Sequence, residues 1–410
     1  MHRLLRFALA AALVAAAAPA SATNGMRMIG FSPVQNSMGG ASAAAPLDAA
    51  TIVTNPAGMS ELGPRLDISG TAFVPTVEFD ATWSMGAPPA SASGESERPA
   101  DYIPTLAAIY RVRDDLTFGV AALGTAGMGV EFPSAGGLYG ARTWTQYMNA
   151  RVAPAASYRV TDALSIGFAA NLQYAMLGYE AAGMPERETA GALGIGATVG
   201  LTYKPTQAVT LALAYESKSF YQGFEFDVPA HTTMFGPVPG GTEKLDFDQP
   251  QVATVGAAVR PFEGFLLAAD VQWINWSDTN GEDLPAFDSA QADTGYIPWN
   301  LDWSDQVVLK LGAQYLVPAV KGLAVRAGYN YGASPLSDDR AFENVAFPAI
   351  AEHHFTVGAG YDLGALTVNV GAQYSPEVTL EGANATGQGI MAYEARMSQL
   401  AFDLGVAYRF

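Results

Sequence analysis

From residue 65 onward the chain repeats a period-two pattern, in which apolar residues alternate with small or polar ones. At the end of the sequence Leu400, Phe402, Leu404, Val406, Tyr408 and Phe410 fall on one face of an extended chain, and Ala401, Asp403, Gly405, Ala407 and Arg409 on the other. Leu366, Val368, Val370, Ala372 and Tyr374 likewise oppose Ala365, Thr367, Asn369, Gly371 and Gln373. Helical spacing would mix these sets. No apolar run after residue 22 is long enough for a membrane helix, which needs about 20 residues, so a helical membrane protein is excluded. Charged residues make up 15% of the chain and 43 residues are glycine, whereas a soluble domain carries about 25% charge.

The connections decide between a soluble sheet and a membrane barrel. Fourteen candidate strands begin near Arg65, Tyr102, Leu116, Thr143, Ala163, Gly194, Ala208, Asp248, Gly264, Asp305, Gly322, His353, Gly364 and Met397. Tight turns, such as Arg113-Asp114-Asp115 and Lys204-Pro205-Thr206-Gln207, alternate with long loops, among them Lys218 to Phe247 and Ser277 to Ser304. An even number of strands with short turns on one rim and long loops on the other is the layout of a bacterial outer-membrane barrel. Such a sheet closes on itself because hydrocarbon offers no partner to an open edge. Tyr110, Tyr158, Tyr203, Tyr315, Tyr361 and Tyr408 are expected to form one interfacial girdle, and Trp144, Trp273, Trp276 and Trp303 the other.

Three segments follow. Residues 1–22 read as a cleaved export signal, with Arg3 and Arg6, an apolar stretch, and Ala20-Ser21-Ala22. Residues 23–64 hold only Arg27, Asp48 and Glu61 as charged groups. They are too apolar for a solvated tail and too few to fold alone, which predicts a plug inside the barrel of residues 65–410. An excess of 39 acids over 21 bases excludes nucleic acid. Without cysteine, and with only His2, His231, His353 and His354, neither a metal site nor a catalytic constellation is nominated, and no cofactor is expected. The acidic stretch from Ser277 to Asp305 reads as a solvated outer loop.

Gly30, the run Ser37-Met38-Gly39-Gly40-Ala41, then Asp48-Ala49-Ala50, and Asn55-Pro56-Ala57-Gly58 followed by Leu62 together resemble the FadL-type outer-membrane transporters, a family that includes TodX-like importers of aromatic hydrocarbons. The resemblance implies a 14-stranded antiparallel barrel closed by an N-terminal hatch bearing Asn55, Pro56, Ala57 and Gly58. It also implies passive uptake of long-chain fatty acids or other hydrophobic molecules, and no enzymatic step. The expected surroundings are outer-membrane lipid and lipopolysaccharide, with delivery by the outer-membrane assembly machinery and a monomeric state. A water-filled diffusion porin is the competing reading, and it should lack the plug.

Candidate binding residues come from the loops and from strand parity. Phe132, Leu138 and Tyr139, then Phe220, Tyr221, Phe224, Phe226, Met234 and Phe235, give the loops apolar surface to take a ligand from water, each buried side chain contributing about 1.5–3 kcal/mol. In the family an entry groove is built from loops in these places. Parity turns Arg151, Lys310 and Arg326 into the lumen. The family uses lumenal bases to meet a carboxylate, which makes Arg151 and Lys310 the leading partners for such a head group. The third strand is dense in glycine, including Gly124, Gly127 and Gly129. Glycine inside a strand marks a bulge or bend, and in the family a kink there opens the wall sideways.

Overall fold

In the computed structural model, the described residues are 24–410 except 85–87, 136, 181–184, 234–235, 282–283, 285–295, 299 and 383–388. The expected export signal, Met234 and Phe235 therefore lie outside them. Fourteen antiparallel strands form the wall: β1 (Arg65–Trp83), β2 (Asp101–Arg113), β3 (Leu116–Phe132), β4 (Thr143–Arg159), β5 (Leu164–Glu180), β6 (Arg187–Thr206) and β7 (Val209–Glu216). They continue as β8 (Val252–Val259), β9 (Phe265–Ile274), β10 (Gln306–Leu316), β11 (Leu323–Gly332), β12 (His353–Asp362), β13 (Leu366–Gly382) and β14 (Ile390–Arg409). Each strand pairs with its sequence neighbours, and β1 pairs with both β2 and β14, so the sheet closes. Ile68 marks the seam, opposite Leu106 on one side and Val406 on the other.

Alternation fixes which side chains meet lipid. Along β14, Phe402 and Leu404 are 54% and 60% exposed on the outside while Ala401 and Asp403, alternating with them, are buried in the bore. No described helix is long and apolar enough to cross a membrane. Several strands outrun the pattern that locates them: β6 starts at Arg187 rather than Gly194, β14 at Ile390 rather than Met397, and β3 and β13 run on to Phe132 and Gly382. The added stretches carry residues such as Glu381, Glu394 and Arg396. Pairing continues above the lipid where nothing selects for apolar residues, so alternation in hydropathy fades before the strand does.

Tyr110, Tyr158, Tyr203, Tyr361 and Tyr408 stand exposed on the outer surface near the short-turn rim, and Tyr315 is half-buried there. The expected tryptophan girdle does not form. Trp144 is buried, and Trp276 and Trp303 are wholly enclosed, their rings edge-on at 5.1 Å. Their indole N–H groups donate to Gln306 and Asn344 at 2.9 and 2.8 Å. The long loops turn inward over the bore and enclose these large rings; Trp273 alone of the four remains half-exposed on the wall.

Residues 24–64 lie within the cylinder. They form two short helices, α1 (Pro33–Ser37) and α2 (Thr51–Thr54), and a 3-10 segment (Pro56–Glu61). The Ser32 hydroxyl caps α1 by accepting from the Gln35 N–H at 3.1 Å, with Pro33 following the cap.

Candidate functional site

The hatch is held by its asparagine motif. Asn55 is in extended backbone, and its side-chain oxygen accepts from Ala57 N–H at 3.2 Å, starting the 3-10 segment at Pro56. Its amide donates to the Ala43 carbonyl at 2.8 Å and to the Thr202 hydroxyl on β6 at 3.2 Å. The hatch backbone presses against the wall so closely that a Cβ at Gly167 would overlap Ala57, and one at Gly200 would overlap Asn55. Ser157 donates to the Ala57 carbonyl at 3.1 Å, Arg111 to those of Ser60 and Leu62, and Lys204 pairs with Glu61. Gly58 sits where a Cβ would lie 2.6 Å from the Thr51 hydroxyl. Asp48 lies beneath α1, bonded to Ser32 and to the Ala50 N–H. Burial, and then the neighbouring Asp67, push its carboxyl above the usual range.

An ionic centre joins hatch to wall. Glu216, on the end of β7, receives Arg27 of the hatch at 2.8 Å and also Arg151 of β4. All three are buried. Arg151 keeps its Nε and Nη1 groups without partners. Lys310 donates to the Ile29 carbonyl at 3.1 Å and faces Asp270 across the β9–β10 ladder. Asp270 in turn accepts from the Ser42 and Ala43 N–H groups at 2.8 and 2.9 Å. A cavity of about 30 Å³ lies between Lys310, Asp270, Arg27 and Glu216, room for one or two waters. Arg326 stands apart from this centre. It faces the short-turn mouth, a recess of about 790 Å³, and donates to Gln314 and Asn369 at 2.7 and 3.1 Å.

Above the hatch the upper chamber of the bore is filled by a packed apolar cluster. Phe132, Leu138, Tyr221, Phe224 and Phe226 come together in it with Phe79, Tyr147, Phe247, Trp276, Trp303 and Tyr393. Phe79 meets Phe132 edge-on at 4.8 Å, and Tyr147 meets Phe247 at 4.9 Å. Phe220 does not join them. It is 60% exposed beside Ile195 on the outer wall, because the short strand carrying it pairs with β6 and alternation turns its ring outward. Tyr221 turns inward and donates to Asn149 at 2.9 Å. Its N–H bonds Asp248, whose carboxyl is pushed up to about 6 by burial and by the adjacent Asp246.

The wall is interrupted at β3. The β2–β3 ladder runs from Arg113–Leu116 to Thr105–Leu123, and among the described residues it ends there. One residue higher the β3–β4 register slips between Gly124 and Ala126. The free edge of β3 is taken by the hatch: Gly127 N–H donates to the Met26 carbonyl at 3.0 Å and Met28 N–H to the Thr125 carbonyl at 3.3 Å. Higher still, Glu97 N–H donates to the Glu131 carbonyl at 2.8 Å, and the Arg98 side chain lies against Gly129 while donating to the Thr145 carbonyl at 3.2 Å.

A family model described as outer membrane protein transport protein (OMPP1/FadL/TodX) matches residues 10–410. The chain belongs to that family. It is accordingly an outer-membrane transport channel for hydrophobic compounds and not an enzyme. Among solved structures, the Pseudomonas putida toluene transporter TodX superposes with a TM-score of 0.74 at 19% identity, covering 93% of this chain and 99% of that one. The Ralstonia pickettii toluene transporter TbuX gives 0.67 at 19% identity, covering 93% and 98%. A Pseudomonas aeruginosa FadL homologue gives 0.68 at 17% identity, covering 96% and 100%. Among curated proteins none matches the sequence.

Within this FadL-family barrel, Glu216 and the buried tryptophans escaped the sequence. Glu216 was accessible to parity, since it follows Thr210, Ala212 and Ala214 on the inward face of β7. Its joint hold on Arg27 and Arg151 was not, because those partners stand 189 and 65 residues away.

Proposed function

We propose that this channel takes up hydrophobic molecules passively. The long loops capture them, the apolar chamber holds them above the hatch, and they leave sideways between β2 and β3 into the bilayer. The supporting observation is the double position of Met26. Its side chain is fully buried in the floor of the chamber, while its carbonyl occupies the free edge of β3. A ligand that displaces Met26 from below the chamber thereby uncovers the interruption in the wall. TodX and TbuX are named as toluene transporters and CymD as a monoaromatic hydrocarbon channel, which agrees with a chamber filled by aromatic rings. Phe132, Leu138, Tyr221, Phe224 and Phe226 are its gripping surface, whereas Phe220 stays on the outer wall.

A cysteine pair at Met28 and Thr125 tests the exit. Under oxidising conditions it should reduce uptake of a labelled hydrophobe to the level of cells lacking the protein, and reductant should restore it. Full uptake by the oxidised form rejects lateral exit.

A second proposal concerns a carboxylate cargo, and the unpartnered N–H groups of Arg151 favour it. In that case Arg151 and Lys310 meet the head group, whereas Arg326, the third candidate carboxylate partner, lies at the short-turn mouth off this route. Lys310→Met should then weaken fatty-acid uptake while leaving alkane uptake intact.

A further inference from the structure

The charge of this protein is distributed unevenly along the barrel axis. Residues 24–410 hold all 39 acidic side chains and 19 of the bases. On the long-loop side, counting the described residues of the loops and of the strand ends that carry them, stand 24 acids against 7 bases. The hatch, the bore and the short-turn rim hold 11 acids with 12 bases, and the remaining 4 acids lie outside the described residues. The excess negative charge is thus confined to the face that a ligand meets first. Several of these acids, such as Glu95, Glu97, Glu188 and Glu381, are exposed, and no ion pair among the described residues includes them.

The bore does little to offset this for an incoming anion. Arg27 and Arg151 share Glu216, and Lys310 has Asp270 opposite and the Ile29 carbonyl on its amine. What Arg151 still offers is a pair of free N–H groups, which an uncharged oxygen or an aromatic face can accept. A mouth of one sign lowers the local concentration of ligands of that sign and slows their entry by about 10 to 10³-fold. An uncharged molecule is unaffected.

We infer that the long-loop face is an electrostatic filter, and that the cargo of this channel is an uncharged hydrophobic molecule rather than a fatty-acid anion. The inference rests on the uptake function proposed above, narrows its substrate class, and decides against the carboxylate cargo given there as the second reading.

The test compares 1-dodecanol with dodecanoate, two probes with the same apolar chain, in cells with and without the protein at pH 7.5. At low ionic strength, where the screening length is about 30 Å at 0.01 M, protein-dependent uptake of dodecanol should exceed that of dodecanoate at least tenfold. Raising salt to about 0.15 M, with a screening length of about 8 Å, should increase dodecanoate uptake several-fold and change dodecanol uptake less than twofold. A variant with Glu95→Gln, Glu97→Gln, Glu188→Gln and Glu381→Gln should narrow the gap in the same direction without altering dodecanol. Dodecanoate uptake equal to or faster than dodecanol uptake at low salt overturns the filter while leaving the channel function standing. No protein-dependent uptake of either probe overturns the channel function itself, and the filter with it.

Discussion

Glu216→Gln is the sharpest perturbation of the hatch. The glutamate holds two buried guanidinium groups, Arg27 at 2.8 Å on the hatch and Arg151 on the wall. The amide keeps the shape and one acceptor oxygen but removes the charge, leaving two cations buried and uncompensated. Removing one partner of a buried pair costs about 3–5 kcal/mol. At about 1.4 kcal/mol per tenfold, that raises the undocked hatch population by roughly two to three and a half orders of magnitude. Undocking unblocks the bore, so the assay is ion conductance in planar bilayers, with the thermal midpoint of the barrel-to-unfolded gel shift as a second readout. The variant should show frequent conducting bursts absent from the native protein. Adding Arg27→Met removes one stranded cation and should recover about 1–3 kcal/mol of the loss, a coupling measurable in a double-mutant cycle. Native conductance and an unchanged midpoint in Glu216→Gln would refute the assignment of this centre as the tie between hatch and wall.

Three further outcomes are expected. Gly200→Val drives a side chain into Asn55, and overpacking of this kind costs about 1–3 kcal/mol; limited proteolysis should then cut within residues 24–64 faster than in the native protein. Trp303→Ala empties a fully enclosed site in the chamber and should lower stability by about 3–5 kcal/mol, read as a drop in thermal midpoint; an unchanged midpoint would show that the loops do not pack as a unit. Asp248 has its carboxyl raised to about 6 in the folded loop, above the ordinary 3.8. Protonation is therefore taken up on folding, and the stabilisation it brings is present at low pH and lost as pH rises through about 6. Amide exchange at Tyr221, corrected for its intrinsic rate, should show less frequent opening at pH 5 than at pH 7.5, and the reverse order contradicts the sign.

The barrel was legible in the sequence because its wall obeys one local rule. Residue parity alone places Phe402 outside and Asp403 inside, and the alternating loop lengths give both rims. The inward direction of Arg151 and Lys310 follows from the same parity. What each of them touches does not, since Glu216 and Ile29 arrive from remote parts of the chain. Trp276 and Trp303 show the opposite limit. Their place at strand ends beside long loops fits an interfacial belt, but loops that fold back over the bore can bury a large ring as readily as a membrane surface can hold one. Phe220 was separated from Tyr221 by a single residue step, which only the pairing of their short strand with β6 reveals.

The hatch touches strands from every part of the cylinder. Its α1 packs on β11, β12 and β13, its 3-10 segment packs on β4, β5 and β6, and Met26 and Met28 bond β3. None of these surfaces exists as a docking site until the strands supplying it stand side by side. The part of the chain nearest the amino end therefore cannot complete its docking until several hundred later residues are arranged. Closure of the cylinder and corking of its bore are accordingly tied to the same set of strands, and a barrel with a strand missing has no complete seat for its plug.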